Sequence, residues 1–123
     1  MTINATAQLV VGFNLSKYHP LVEKYIQKHE DDDVNFGMYA LYDDIECEEL
    51  CVAVGYDEEW VLIGWAIYSE DTESPIKIED FPPSQALLEK VKQKAIEKLK
   101  ELNLWDEEIE KSYGTYFSTF VVY

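Results

Sequence analysis

The 123-residue chain contains no arginine; all ten of its basic residues are lysine. Arginine is the planar, two-pronged clamp for phosphate and carboxylate, so its absence argues against an enzyme acting on nucleotides. Lysine can still hold phosphate as a point charge. Cysteine is scarce as well. Cys47 and Cys51 are too few for a disulfide scaffold in a chain of this size and point to a reducing, cytosolic setting. Long hydrophobic runs are missing: the longest, Trp60–Tyr68, is about half a membrane span. The N-terminal stretch has no basic n-region, and its apolar run Leu9–Phe13 is too short for a signal h-region. A soluble, cytoplasmic protein is expected. No G-x-G-x-x-G, P-loop or G-x-S-x-G pattern occurs.

What is present is enough apolar material for a core, 47% of residues, which argues against disorder despite the charge. The length predicts a single domain spanning 1–123. Ala7–Leu15 alternates apolar and other residues, the periodicity of a strand. Pro20 suits the first turn of a helix, and Leu21, Val22, Tyr25 and Ile26 then fall on one side at helical spacing. Three strands are predicted next: Asn35–Tyr42, Leu50–Tyr56 and Trp60–Tyr68. The last, nearly continuously apolar, reads as a central strand buried on both faces. Short links favour an antiparallel meander. FPPS at 81–84 opens a second helix, roughly Ser84–Leu102, whose stripe is Leu88, Val91, Ala95, Leu99 and Leu102. Asn103 is a stop signal, Asp106–Lys111 a polar connector, and Tyr113–Tyr123 a final strand. The order β-α-β-β-β-α-β defines an α+β fold in two layers, a five-stranded, mainly antiparallel sheet with two helices.

The charge is distributed unevenly. Net charge is −15. Residues 30–76 hold 15 acids and no lysine, arginine or histidine; the remaining 76 residues hold ten acids and all ten lysines. The entire net charge therefore lies in the meander segment. On an antiparallel meander these acids form two clusters, one at each end of Leu50–Tyr56. That strand spans roughly 20–25 Å at about 3.3 Å per residue. Each close pair of like charges costs about 1 kcal/mol in water and more near a low-dielectric surface. A basic partner would offset that cost and be steered in by the same field. Tyr56 and Trp60, flanking Asp57–Glu59, add aromatic area of the kind that anchors interfaces. The candidate partner-binding residues are Asp43, Asp44, Glu46, Glu48, Glu49, Tyr56, Asp57, Glu58, Glu59, Trp60, Glu70 and Asp71.

Other patterns carry less. Asp31, Asp33 and Asn35 fit the start of an EF-hand loop, but Phe36 replaces the required glycine and Tyr42 the closing glutamate. Cys47 and Cys51 with His19 and His29 could make a four-ligand zinc set, yet the CxxC knuckle is missing. The simpler reading is a loop cysteine at 47 and a buried strand cysteine at 51. Lys90, Lys94 and Lys98, with Lys92 and Lys100 nearby, read as a solvated helix face, with a second binding face or self-association as the minority reading. With 25 carboxylates some pair always lies close, so carboxylate pairing has no specificity for catalysis. No catalytic residue, cofactor or metal is assigned.

The expectation is a non-catalytic acidic binding protein or inhibitor that occupies a basic, nucleic-acid-binding surface of another protein. Direct contact with free nucleic acid or an anionic membrane is disfavoured, both being polyanions. In composition, though in no motif, the chain is similar to the DNA-mimic inhibitors of phages and mobile elements, including anti-restriction and anti-CRISPR proteins. The alternatives are an immunity protein that neutralises a toxin, or a small enzyme or ligand-binding domain with an aromatic pocket between helices and sheet.

Overall fold

The computed structural model describes residues 4–28, 41, 44–45, 47, 50–54, 59–69 and 83–122. Among the described residues four antiparallel strands form one sheet: β1 (Asn4–Ser16), β2 (Cys51–Val54), β3 (Trp60–Ser69) and β4 (Gly114–Val122), in the spatial order β2-β3-β1-β4. Three helices of defined bounds, again among the described residues, accompany it: α1 (Pro20–Lys28), α2 (Gln85–Glu101) and α3 (Glu107–Lys111). The fold is mixed α+β with an antiparallel sheet, as the alternation of apolar residues predicts. Most of the predicted strand Asn35–Tyr42 lies outside the described residues. Its one described member, Leu41, has helical backbone, as do Asp44 and Ile45. Leu41 and Ile45 are both fully buried. Their four-residue spacing is one helical turn, a period hidden in the continuous apolar run around Leu41.

Pairing parity decides which face of the sheet is covered. Phe13 lies opposite Ile63 and Leu15 opposite Val61, and all four are fully buried. They form the core with Val22 and Tyr25 of α1 and Val91, Ala95 and Leu99 of α2. The stripe expected on α2 is present, Leu102 being half-buried at its end. β3 is an interior strand, and Leu62, on the face opposite Val61 and Ile63, is buried too. The two cysteines are reversed from expectation: both are free thiols, but Cys47 is half-buried against the core and Cys51 is exposed. Cys51 pairs with Gly64 on the face away from the helices, whereas Val52 and Val54 pair with the core residues Ile63 and Val61.

Local chemistry sets the helix ends. The Ser84 side chain accepts from the Leu87 amide at 3.1 Å and caps α2. At the other end Asn103 adopts φ 60°, the left-handed conformation that asparagine tolerates. Asn103 N–H donates to Lys100 O, and Leu104 N–H donates to Leu99 O at 2.8 Å. This is the paired closure of a Schellman end, completed by buried Leu99 and Leu104. The predicted connector Asp106–Lys111 instead contains α3. Asp106 Oδ1 accepts from the Ile109 amide at 2.8 Å, and Ile109, 1% exposed, anchors the turn in the core.

On β1 and β3 Gly12 lies opposite Gly64. A Cβ at Gly12 would sit 2.0 Å from Ile63 O, and one at Gly64 would sit 2.2 Å from Val11 O. Backbone atoms cannot yield as a flexible side chain would. Gly114 pairs with Gly12 from the other side, but its added Cβ would meet nothing nearer than 3.9 Å. Gly12→Ala and Gly64→Ala are each expected to cost about 1–3 kcal/mol of stability. Gly114→Ala should stay within about 0.5 kcal/mol. Urea unfolding of the three variants checks this ranking, and equal losses at all three would refute it.

Candidate functional site

At the end of the sheet where β1 leaves it, Lys17 N–H donates to Glu59 O at 2.9 Å, tying β1 to the start of β3. The chain turns at once: Tyr18 N–H donates to Ser16 Oγ and His19 N–H to Ser16 O. Tyr18 is left 62% exposed, with its hydroxyl donating to Glu59 Oε1 at 3.3 Å and Lys17 Nζ 5.3 Å from its ring centre. His19 opens α1. Its Nδ1 accepts from the Leu21 amide at 3.1 Å, so the imidazole serves as the cap of a helix whose first residue is proline.

α3 brings its acids to the same end. His19 Nε2 lies 2.9 Å from Asp106 Oδ2 and 3.3 Å from Glu108 Oε2. It is fully buried and off-line for a directed hydrogen bond to either, so these contacts are electrostatic. Asp106 thus has two tasks, capping α3 through Oδ1 and facing His19 through Oδ2. Glu107 and Glu110 complete the acidic first turn of α3, with Lys111 paired to Glu107 at 3.0 Å. Ser112 fastens the connection to β4: Asn14 N–H donates to its Oγ at 3.0 Å, and Oγ–H donates to Ile109 O at 2.6 Å. The Tyr116 hydroxyl donates to Ser112 O. Between these groups lies a cleft of about 290 Å³, lined by Asn14, Tyr18, His19, Glu108, Ser112 and Tyr116 among others. Nearby in the core, Tyr113 packs on Phe13 at 5.0 Å between ring centres, with Lys92 Nζ over its face. Burial, assisted by the charge of Glu89, pushes its phenol above the ordinary value of 10.0.

Of the twelve candidate binding residues, Asp44, Glu59 and Trp60 are described; Asp43, Glu46, Glu48, Glu49, Tyr56, Asp57, Glu58, Glu70 and Asp71 lie outside the described residues. Trp60 is half-buried at the start of β3. Asp44 and Glu59 are both exposed but meet opposite surroundings. Asp44 accepts a hydrogen bond from the Tyr25 hydroxyl and lines a cleft of about 710 Å³ that also holds Lys24, Lys28, Lys98 and Glu101. The counter-charge missing from its own segment is supplied there by the C-terminal ends of α1 and α2, where lysine also complements the helix dipoles. Glu59 instead accepts from the hydroxyl of Tyr18, which in turn lines a cleft with Glu108 of α3. Sequence reasoning did not single out Tyr18, Asn14, Asp106, Glu107, Glu108 or Glu110. The available signal was Asp106 followed by two glutamates, an N-cap and acidic first turn that mark a helix start.

His19, Asp106 and Glu108 have ligand atoms within 4.8 Å of one another, a spacing a metal ion could use. The tautomer opposes that use. Because Nδ1 accepts from Leu21 N–H, the neutral ring carries its proton on Nε2, and no lone pair faces the carboxylates. Among the described residues, Cys47 and Cys51 do not join this group; His29 lies outside them. No described helix is long and apolar enough to cross a membrane. No protein-family model, curated protein or solved structure matches the chain. Nitrogen-15 NMR of the neutral imidazole is expected to show His19 protonated at Nε2, with stoichiometric zinc leaving both ring nitrogens unmoved. A proton on Nδ1 and a zinc-induced shift would make the cluster a metal site.

Proposed function

We propose that the chain is a non-catalytic acidic binding protein whose Glu59–α3 rim engages a basic surface on another protein. A basic surface built to hold nucleic acid is the favoured target, the carboxylates taking the place of phosphates. Duplex DNA carries about one charge per 1.7 Å of axis, so a surface that holds it is adapted to dense negative charge. An inhibitor of phage or mobile-element origin, acting against a restriction or CRISPR enzyme, fits this chemistry. The observation that carries the reading is the set of acids on α3, Asp106, Glu107, Glu108 and Glu110, at the end of the sheet where Tyr18 lines a cleft with Glu108 and donates its hydroxyl to Glu59 of the segment without basic residues. The lysines in that neighbourhood, Lys17 and Lys111, are held against Tyr18 and Glu107.

Exposed Tyr18 supports an interface over a surface that serves only solubility. A rigid aromatic ring beside carboxylates buries area at low entropic cost. Within the described core, the space between α2 and the sheet is filled by Phe13, Ile63, Val91, Ala95 and Leu99, which favours a surface reading over an interior ligand pocket.

The test immobilises the protein and captures nucleic-acid-binding proteins from a bacterial lysate. Capture should be lost at about 0.5 M salt, where the screening length falls to roughly 4 Å. Replacing Glu59, Glu107, Glu108 and Glu110 together with Gln should weaken capture about tenfold or more, at roughly 0.3–1 kcal/mol per exposed charge pair. Replacing Glu89, Glu97 and Glu101 on α2 should change it little. Capture that survives both salt and the rim substitutions would remove the proposal.

A further inference from the structure

We infer that the outer edge of β4 is a self-association surface, on which a second copy of the chain adds its own β4, antiparallel and about a two-fold axis, to make one continuous sheet. The acidic rim plays no part in this contact.

The described sheet, ordered β2-β3-β1-β4, has two edges, and they differ. β2 is four residues long, with Glu48 and Glu49 just before it in sequence and Asp57, Glu58 and Glu59 soon after. Short length and flanking charge are what keep an edge from pairing with another chain. β4 has neither. It is nine residues long and, among the described strands, pairs with β1 alone. That pairing runs unbroken from Asn4–Val122 to Gly12–Gly114, so no bulge turns the outer edge away. The sequence GTYFSTFVV contains no charged residue and no proline, and is rich in the aromatic and β-branched residues that favour strand pairing. The backbone groups that do not face β1 point outward along its length. Helix α2 packs on β3 and β1, and Thr115 and Phe117, on the helix side of β4, remain exposed. Phe117 is 70% exposed.

Charge and symmetry select a second copy as the occupant. Two molecules of net charge −15 repel, and each described helix carries carboxylates, whereas Ser112–Val122 carries no charge at all. Pairing β4 along its whole length about a two-fold axis therefore sets no carboxylate opposite another. A two-fold pair also needs only one such edge, and every copy has it. Because the two strands run in opposite directions, the α3 acids that precede each β4 are held apart by the length of the strand, roughly 26 Å at about 3.3 Å per residue. That is well beyond the screening length of about 10 Å at 0.1 M salt. Centred on Ser118, the pair sets Phe117 of each copy opposite Thr119 of the other and makes the two Phe117 positions diagonal neighbours on one face. The exposed ring of each copy gains there the cover that the single chain does not give it.

Sedimentation velocity of the 123-residue chain over a concentration series tests this. The expected result is a monomer–dimer equilibrium that tightens as salt is raised to about 0.5 M, because screening weakens the repulsion between copies. Capture of a basic partner by the acidic rim should respond to salt in the opposite sense, so the two contacts are separable. Phe117→Glu, which makes two like charges diagonal neighbours, should weaken the dimer about tenfold or more, and Phe117→Tyr should preserve it. Cys51→Ser, on the other edge, should change nothing, which separates strand pairing from a disulfide-linked pair. Hydrogen exchange of the unsubstituted chain gives a readout that needs no variant to fold: alternate amides of β4, those facing away from β1, should gain protection as concentration rises. A monomer at every concentration and salt would overturn the strand pairing. So would a dimer indifferent to Phe117→Glu, or one whose newly protected amides lie in α2 or β2.

Discussion

The long antiparallel pairing of β1 with β3, from Ala7–Ser69 to Ser16–Trp60, is the constraint on which the rest of the structure depends. Ten consecutive pairs fix the parity of both strands, and parity fixes which side chains face the helices. A slip of one residue between the strands would turn Val61 and Ile63 out of the core while Phe13 and Leu15 stayed in it, or the reverse. The glycine pair at 12 and 64 locks that register sterically, because only glycine tolerates the backbone contact there. β1 also carries β4 on its other edge, so the two termini of the described chain are joined through one strand.

That pairing builds the rim. By placing the end of β1 against the start of β3, it sets Tyr18 beside Glu59, residues 41 apart in sequence. By carrying β4 on the opposite edge, it brings Ser112 to Asn14, 98 residues away, and with it α3 and its acids to His19. The charge that reads in sequence as a local excess of residues 30–76 thus acquires distant neighbours. Those neighbours differ at the two ends of β2. Around Asp44 the fold supplies lysines from α1 and α2; beside Glu59 it places Tyr18, which lines a cleft together with Glu108 of α3. Glu108 of α3 stands exposed beside the cleft that Tyr18 also lines, a place where a basic partner would gain from complementary charge.

The elements with clear periodicity were legible in the sequence. Alternation located β1, an apolar run located β3, and the spacing of Val91, Ala95 and Leu99 located α2, with Ser84 and Asn103 marking its ends. α3 was not legible because its five residues contain one buried apolar side chain, Ile109, too few to show a period. Leu41 was misread because the alternation of Phe36, Met38, Ala40 and Tyr42 has strand period, while the helical spacing of Leu41 and Ile45 is hidden among the apolar residues around it. The candidate site was half legible: the base-free acidic segment could be counted, but Asn14, Tyr18, His19 and Glu108 come from three elements, and only the sheet topology shows that they meet. The polarity of His19 was invisible for another reason, since its tautomer depends on the Leu21 amide and therefore on helix α1 having formed.

The central claim is that this acidic rim occupies a surface another protein uses for nucleic acid. The most direct measurement takes a captured partner bound to fluorescent duplex DNA and adds this protein, following anisotropy and the composition of the complex by size-exclusion chromatography. The account predicts mutually exclusive binding: DNA is released, and the partner elutes with this protein alone. A stable ternary complex containing partner, DNA and this protein together would contradict it.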